Sequence, residues 1–194
     1  MIFINQQELT NMSETKKEDL MTTSSSFVDG TKGILIYRGY DIRDLGANAT
    51  FEETIYLLWN DKLPNAQELN TFKAALESQR ALPDRLLKIL REFPYNAHPM
   101  AVLRTAVSAL GLLDSHADDV SQNSAREKAL LLTAVLPTVI AAWERVRNGK
   151  EPIAPRIGLS HAANFLYMLS GEEPTSAAVP ALDSYLVLLA DRGF

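Results

Sequence analysis

Between Thr50 and Arg147 apolar residues recur three and four positions apart, the spacing that lines one face of an α-helix. Thr50 and Glu53 stand in capping-box spacing, and Ile55, Leu58 and Trp59 follow them, which predicts a first helix. Leu69, Phe72, Ala75 and Leu76 carry the same spacing into the next segment. Pro83 opens a third helix with Leu86, Leu87 and Leu90 on one face, and Pro94 stops it. From Pro99 to about Leu113, Val102, Leu103, Ala106, Val107, Ala109 and Leu110 cover nearly every side, so this helix belongs in the interior. Ser124 and Glu127 form a second capping-box pair ahead of a long run to about Arg147, in which Pro137 is expected to produce a kink. Asn148-Gly149 supplies a left-handed stop, and Pro152 and Pro155 force extended backbone on the residues before them. Helices resume at about Leu159 to Leu169 and Pro180 to Asp191.

The start of the chain reads differently. Residues 1–26 are polar and end in Thr22-Thr23-Ser24-Ser25-Ser26, a composition expected to give a flexible arm. Gly30-Thr31-Lys32-Gly33 is a turn signal, and Ile34-Leu35-Ile36-Tyr37 is a short β-prone run closed by Gly39, so one small hairpin is expected. Roughly seven helices and a hairpin, without an alternating strand-helix series, define an all-α class. No repeat of solenoid period stands out, and residues 27–194 read as one packed helical domain.

The composition narrows the function. The 194 residues are 46% hydrophobic and 22% charged, with a formal charge of −5 spread along the chain, so no basic footprint for nucleic acid is present. The absence of cysteine removes disulfides, thiolate nucleophiles and Cys-ligated metals, and suits a reducing cytoplasm. Met1 to Leu20 lacks the basic-then-apolar order of a secretory signal. The longest apolar stretch, Ala129 to Trp143, is interrupted by Thr133, Pro137 and Thr138 and falls short of the ~20 residues that cross a bilayer, so it is expected to be a buried helix.

Candidate chemistry is sparse. His98, His116 and His161 are the three histidines, and no two stand at the i, i+4 spacing of a metal pair; no metal site is expected. His98, before Pro99, is placed to serve the open amides of a helix start, and His116 sits among Asp114, Asp118 and Asp119 in a solvated loop without the spacing of a calcium cage. Ser160-His161 resembles a nucleophile and its base, but neighbours on a helix point about a hundred degrees apart, so Ser160 is read as an N-cap. Nucleophile-elbow, phosphate-loop and dinucleotide-turn motifs are not found.

A series of segments nevertheless resembles one family. Phe27-Val28-Asp29-Gly30 through Tyr37-Arg38-Gly39-Tyr40-Asp41-Ile42 is similar to the "DG…GIL.YRGY.I" segment of citrate synthases, and Phe51-Glu52-Glu53 through Leu63-Pro64 resembles the helix that follows it. Ala81-Leu82-Pro83, Phe93-Pro94 and His98-Pro99-Met100 resemble the family's "ALP…FP…HPM" series, and Ser160 through Leu169 its "SHaaNFLyML". Leu182-Asp183 through Leu189-Ala190-Asp191-Arg192-Gly193-Phe194 resembles "LD…LADHGfNaS". The resemblance covers residues 27–194, and five pieces in the right order make it specific.

The resemblance implies a multihelical large domain and a homodimer, for which the helices near 99–113 and 125–147 are the candidates. It also implies condensation of acetyl-CoA with oxaloacetate to citrate through an enolate, with acyl-CoA as substrate and no cofactor. That chemistry calls for a carboxylate base, imidazoles facing the enolate and ketone oxygens, and arginines on the dicarboxylate. In the family these lie in the later "GPLHG" and "GYGH" motifs and beyond, so the resemblance implies a truncated chain without catalytic residues or the smaller CoA-closing domain, inactive alone. The one substrate-binding position reached is Arg192, where the family has its oxaloacetate-binding His; arginine donates to a carboxylate but stays charged. Its plain alternative, and that of Asp191, is an exposed charge at the chain end. Propionyl-CoA with a 2-methylcitrate product is the second enzymatic expectation. A non-catalytic helical dimerisation or interaction module is the third.

Overall fold

The computed structural model describes residues 23–191. Its elements in chain order are β1 (Ser26–Asp29), β2 (Ile34–Tyr37), β3 (Tyr40–Asp41), α1 (Ile42–Asn48), α2 (Phe51–Asn60), α3 (Ala66–Ser78), α4 (Asp84–Glu92), α5 (Pro99–Leu113), α6 (Gln122–Arg147), α7 (His161–Ser170) and α8 (Ala178–Leu189). The fold is all-α with a small sheet, as the periodicity predicts. Two compact units divide the chain: one runs up to Phe72 and resumes at Pro180, and the other is Lys73–Val179.

In the first unit the expected hairpin is a three-stranded antiparallel sheet of order β1-β2-β3. Phe27 faces Ile36 and Tyr37 faces Tyr40 in its register. The β1–β2 turn is pinned by the Asp29 carboxylate, which accepts from the Thr31 and Lys32 amides at 3.1 and 3.0 Å. The third strand has only two residues, too few for alternation to register. What creates it is the two-residue turn Arg38-Gly39, with φ +47° and +86°, the left-handed pair whose twist matches flanking antiparallel strands.

Helix α1 was not expected either. Seven residues with Gly46 inside carry little periodic signal, but Asp41 caps the helix by accepting from the Arg43 amide at 2.8 Å, and Ile42 and Leu45 bury one face. The Arg43 side chain, bonded to the same carboxylate, is the main cause that holds the Asp41 carboxyl below its ordinary value. Helix α2 has the predicted capping box: the Thr50 amide donates to Glu53 at 2.8 Å and the Glu53 amide to the Thr50 hydroxyl at 3.3 Å. Tyr37, Ile42, Leu45, Leu57 and Val187 form the unit's core, so α8 returns to pack on elements more than a hundred residues earlier.

The second unit is a helical cluster. Leu86 and Leu90 of α4, Val102, Ala106 and Leu110 of α5, and Val135, Val139, Ala142, Trp143 and Val146 of α6 share one core, with Phe93 edge-on to Trp143 at 6.2 Å. Helix α6 starts three residues earlier than the sequence suggests. Ser121, not Ser124, is its N-cap, accepting from the Ser124 amide at 3.3 Å, and Ser124 is buried inside the first turn. Two contacts set this start: Asp119 accepts from the Ser121 amide at 2.8 Å, and Lys128 reaches back to the Ala117 and Asp119 carbonyls at 2.8 and 2.7 Å. The helix continues through Pro137 for 26 residues. That length and composition would suffice to cross a bilayer, but 44% of its most apolar window is buried inside the protein, against α5 among others. Gly149 closes it at φ +67°. The extended segment after it is held by Arg145, whose Nε donates to the Glu151 carbonyl at 2.6 Å and whose Nη1 reaches the Leu169 carbonyl at 3.2 Å.

Candidate functional site

The sequence points to Ser160-His161, His98, His116 and the Asp191-Arg192 pair as places where chemistry could reside. Ser160 is the N-cap of α7, its hydroxyl accepting from the Ala163 amide at 3.2 Å. His161, the first residue of that helix, is 5% exposed. One turn later buried Asn164 accepts from the Arg156 amide at 2.8 Å, tying the loop ahead of the helix to its first turns. The Arg156 guanidinium lies 4.6 Å from the Tyr167 ring centroid and pairs with Glu173, whose hydrogen bond is the main cause raising the arginine's pKa above its ordinary value.

His98 caps α5 through Nδ1, which accepts from the Met100 amide at 3.2 Å. An imidazole that accepts there carries no proton on that nitrogen. His116 lies in the exposed α5–α6 loop, its amide held by Asp114 at 2.8 Å. Asp119, the other carboxylate turned inward, is held below its ordinary pKa chiefly by the backbone hydrogen bond from Ser121. Among the described residues no group of three or more His, Asp and Glu side chains is gathered as a metal ion requires.

The end of α8 is the better built place. Arg192 itself lies outside the described residues, but the chain up to Asp191 is described. The Phe51 amide donates to the Asp183 carboxylate at 3.2 Å, and the Ser184 hydroxyl donates to the Gly46 carbonyl at 3.1 Å. At the far end the hydroxyl of fully buried Tyr37 donates to the Asp191 carbonyl, lies 3.3 Å from the Leu188 carbonyl, and accepts from the Asp191 amide at 3.1 Å. Sequence reasoning gave Tyr37 only a place in a β-prone run. Its partner stands 154 residues away, beyond the reach of local pattern.

Helices closed by local polar caps, a small sheet at one end of the sequence, and a backbone-gripping tyrosine at the end of α8 define a multihelical module whose polar groups organise backbone. Its relatives give that class a family. The model described as citrate synthase, C-terminal domain, matches residues 15–194. Citrate synthase of Deinococcus radiodurans is 43% identical over 186 residues, covering 95% of this chain and 49% of the relative. The 2-methylcitrate synthase of Mycobacterium tuberculosis is 43% identical, covering 89% and 44%. The crystal structure of Pyrobaculum aerophilum citrate synthase superposes with a TM-score of 0.83 at 36% identity, covering 89% of this chain and 45% of that one. The chain belongs to the citrate synthase family, and it spans about half the length of the relatives it matches.

Proposed function

We propose that this chain serves the condensation of acetyl-CoA with oxaloacetate to citrate and CoA. The observation that carries the reading is 43% identity to a citrate synthase across 95% of the chain. Within that reaction Arg192 is the group of this chain that meets substrate. It follows Asp191 in sequence, at the position where the family places an oxaloacetate-binding His, and its guanidinium offers a fork of donors that suits a carboxylate and stays charged at every working pH.

The acid-base work needs other groups. Abstraction of a methyl proton from the thioester requires a carboxylate base and a neutral donor to the enolate oxygen. His98 commits an imidazole nitrogen to a helix cap, His116 stands in an exposed loop, and the family's later motifs do not occur in these residues. The 194 residues alone are therefore proposed to give no turnover, with acyl-CoA as substrate and no cofactor.

The 43% identity to a 2-methylcitrate synthase favours propionyl-CoA as a second reading. One methylene separates the two thioesters, a difference a pocket converts into about 1–3 kcal/mol. The chain is further proposed to pair with a second copy through α5 and α6, and its lack of cysteine suits the cytoplasm. What supports the pairing is an apolar groove of about 140 Å³ between those helices, lined by Pro99, Met100, Leu103, Val139, Ile140 and Trp143.

The test is release of CoA thiol from oxaloacetate with acetyl-CoA and propionyl-CoA in parallel, beside a full-length family enzyme. Turnover by the 194 residues alone would overturn the claim that the acid and base lie elsewhere, and the faster thioester would choose between the readings. No turnover alone, with activity on adding the remaining half of a family member, supports the proposal. No turnover in either case leaves the non-catalytic interaction module as the better description.

A further inference from the structure

We infer that the Tyr37 hydroxyl is a positioning group for the substrate contact of this chain: it fixes the backbone at Asp191, the residue that leads into Arg192. The inference rests on the reading of Arg192 given above. Its own observations are independent of that reading. Tyr37 is the last residue of β2 and is 0% exposed, with its ring among Ile42, Leu45, Leu57 and Val187. Apolar burial alone would be served by phenylalanine. The hydroxyl instead meets both backbone polar groups of one residue, donating to the Asp191 carbonyl and accepting from the Asp191 amide at 3.1 Å.

This two-point grip has a geometric consequence. Helix α8 ends at Leu189, and the last turn closes with the Ala190 amide on the Val187 carbonyl at 3.3 Å. Past that point helical hydrogen bonding no longer sets the path of the chain. Holding the amide and the carbonyl of Asp191 fixes the peptide planes on both sides of its Cα, and thus the direction in which the chain leaves toward position 192. The helix behind the grip is itself anchored, through Asp183 to the Phe51 amide and Ser184 to the Gly46 carbonyl. A guanidinium that must meet a carboxylate with two parallel bonds gains from such a fixed origin.

The experiment uses the 194-residue protein, its Tyr37→Phe variant and a Ser184→Ala variant that loosens α8 without touching the grip. Amide exchange is followed by NMR, and oxaloacetate is titrated against the Arg192 signals. Tyr37→Phe is expected to speed exchange at the Asp191 amide about tenfold, with amides in the middle of α8 within about twofold, and to weaken oxaloacetate about tenfold. Ser184→Ala is expected to leave the ratio of Asp191 exchange to that of mid-helix amides unchanged. Unaltered Asp191 exchange in Tyr37→Phe overturns the grip, and so does exchange at the open-chain rate in the unsubstituted protein, which decides the matter even if the variant does not fold. Faster exchange with unaltered oxaloacetate affinity overturns the positioning role. Absence of any oxaloacetate response in the unsubstituted protein overturns the reading of Arg192 instead, and the exchange data still judge the grip.

Discussion

Arg38 pairs a strained backbone with a well-used side chain. At φ +47° it occupies a left-handed region that costs a non-glycine residue roughly 1 kcal/mol or more. Its guanidinium donates to the Leu58 carbonyl at 3.0 Å, in the last turn of α2, and to Ser24 at 2.8 Å. It also meets Asp61 at 2.8 Å, but that carboxylate is 72% exposed and the pair is screened by solvent. The bond to the helix carbonyl therefore stabilises more than the ion pair does. Arg38→Ala keeps the strain and loses the bonds, and is expected to lower stability by about 1–2 kcal/mol in urea denaturation. Arg38→Gly loses the same bonds but releases the strain, and is expected to recover about 1 kcal/mol relative to the alanine variant. Equal stability of the two variants would show that the turn is not strained. Side-chain caps such as Thr50-Glu53, His98 and Ser160 were legible in the sequence because each needs only three or four consecutive residues. The grip of Tyr37 on Asp191 was not, because it joins residues at nearly opposite ends of the described chain.

Elements were legible in proportion to their length. Helices of nine residues or more announced themselves through the three-four spacing, whereas α1 and β3, with seven and two residues, did not. Helix α6 shows how an element can be recognised and its start misplaced. Ser124-Ala125-Arg126-Glu127 has the letters of a capping box, but Ser121 is the cap because Asp119 and Lys128 fix the loop around it. The two alternatives separate experimentally. Ser121→Ala is expected to cost about 1 kcal/mol, as loss of an N-cap does, and to lower the thermal midpoint. Ser124→Ala, inside the helix where alanine has the better intrinsic propensity, is expected to change stability by only a few tenths of a kcal/mol. A larger loss from Ser124→Ala than from Ser121→Ala would place the helix start where the letters put it.

At the scale of the whole molecule, the face of α5 and α6 is the feature to weigh. Met100 is 63% exposed and Ile140 42% exposed, although the interior of the same helix pair is closely filled by Val102, Ala106, Val139 and Trp143. Apolar surface left open beside a finished core marks a contact surface. Sedimentation equilibrium at tens of micromolar is expected to give twice the chain's mass for the unsubstituted protein and the single-chain mass for Ile140→Asp, with unchanged helical circular dichroism. A monomer at every concentration would sink the pairing proposed through these helices.

The first unit closes only when Val187 arrives beside Ile42, Leu45 and Leu57, which precede it by more than a hundred residues. A ribosome adding about 5–20 residues per second needs roughly 5–20 s to make the intervening Lys73–Val179 segment. During synthesis the helical cluster of the second unit is thus complete while the first still lacks its last wall. The order of assembly runs from the middle of the chain outward, and the segment made first is the one that must wait, its apolar side chains open to chaperones until the last helix emerges.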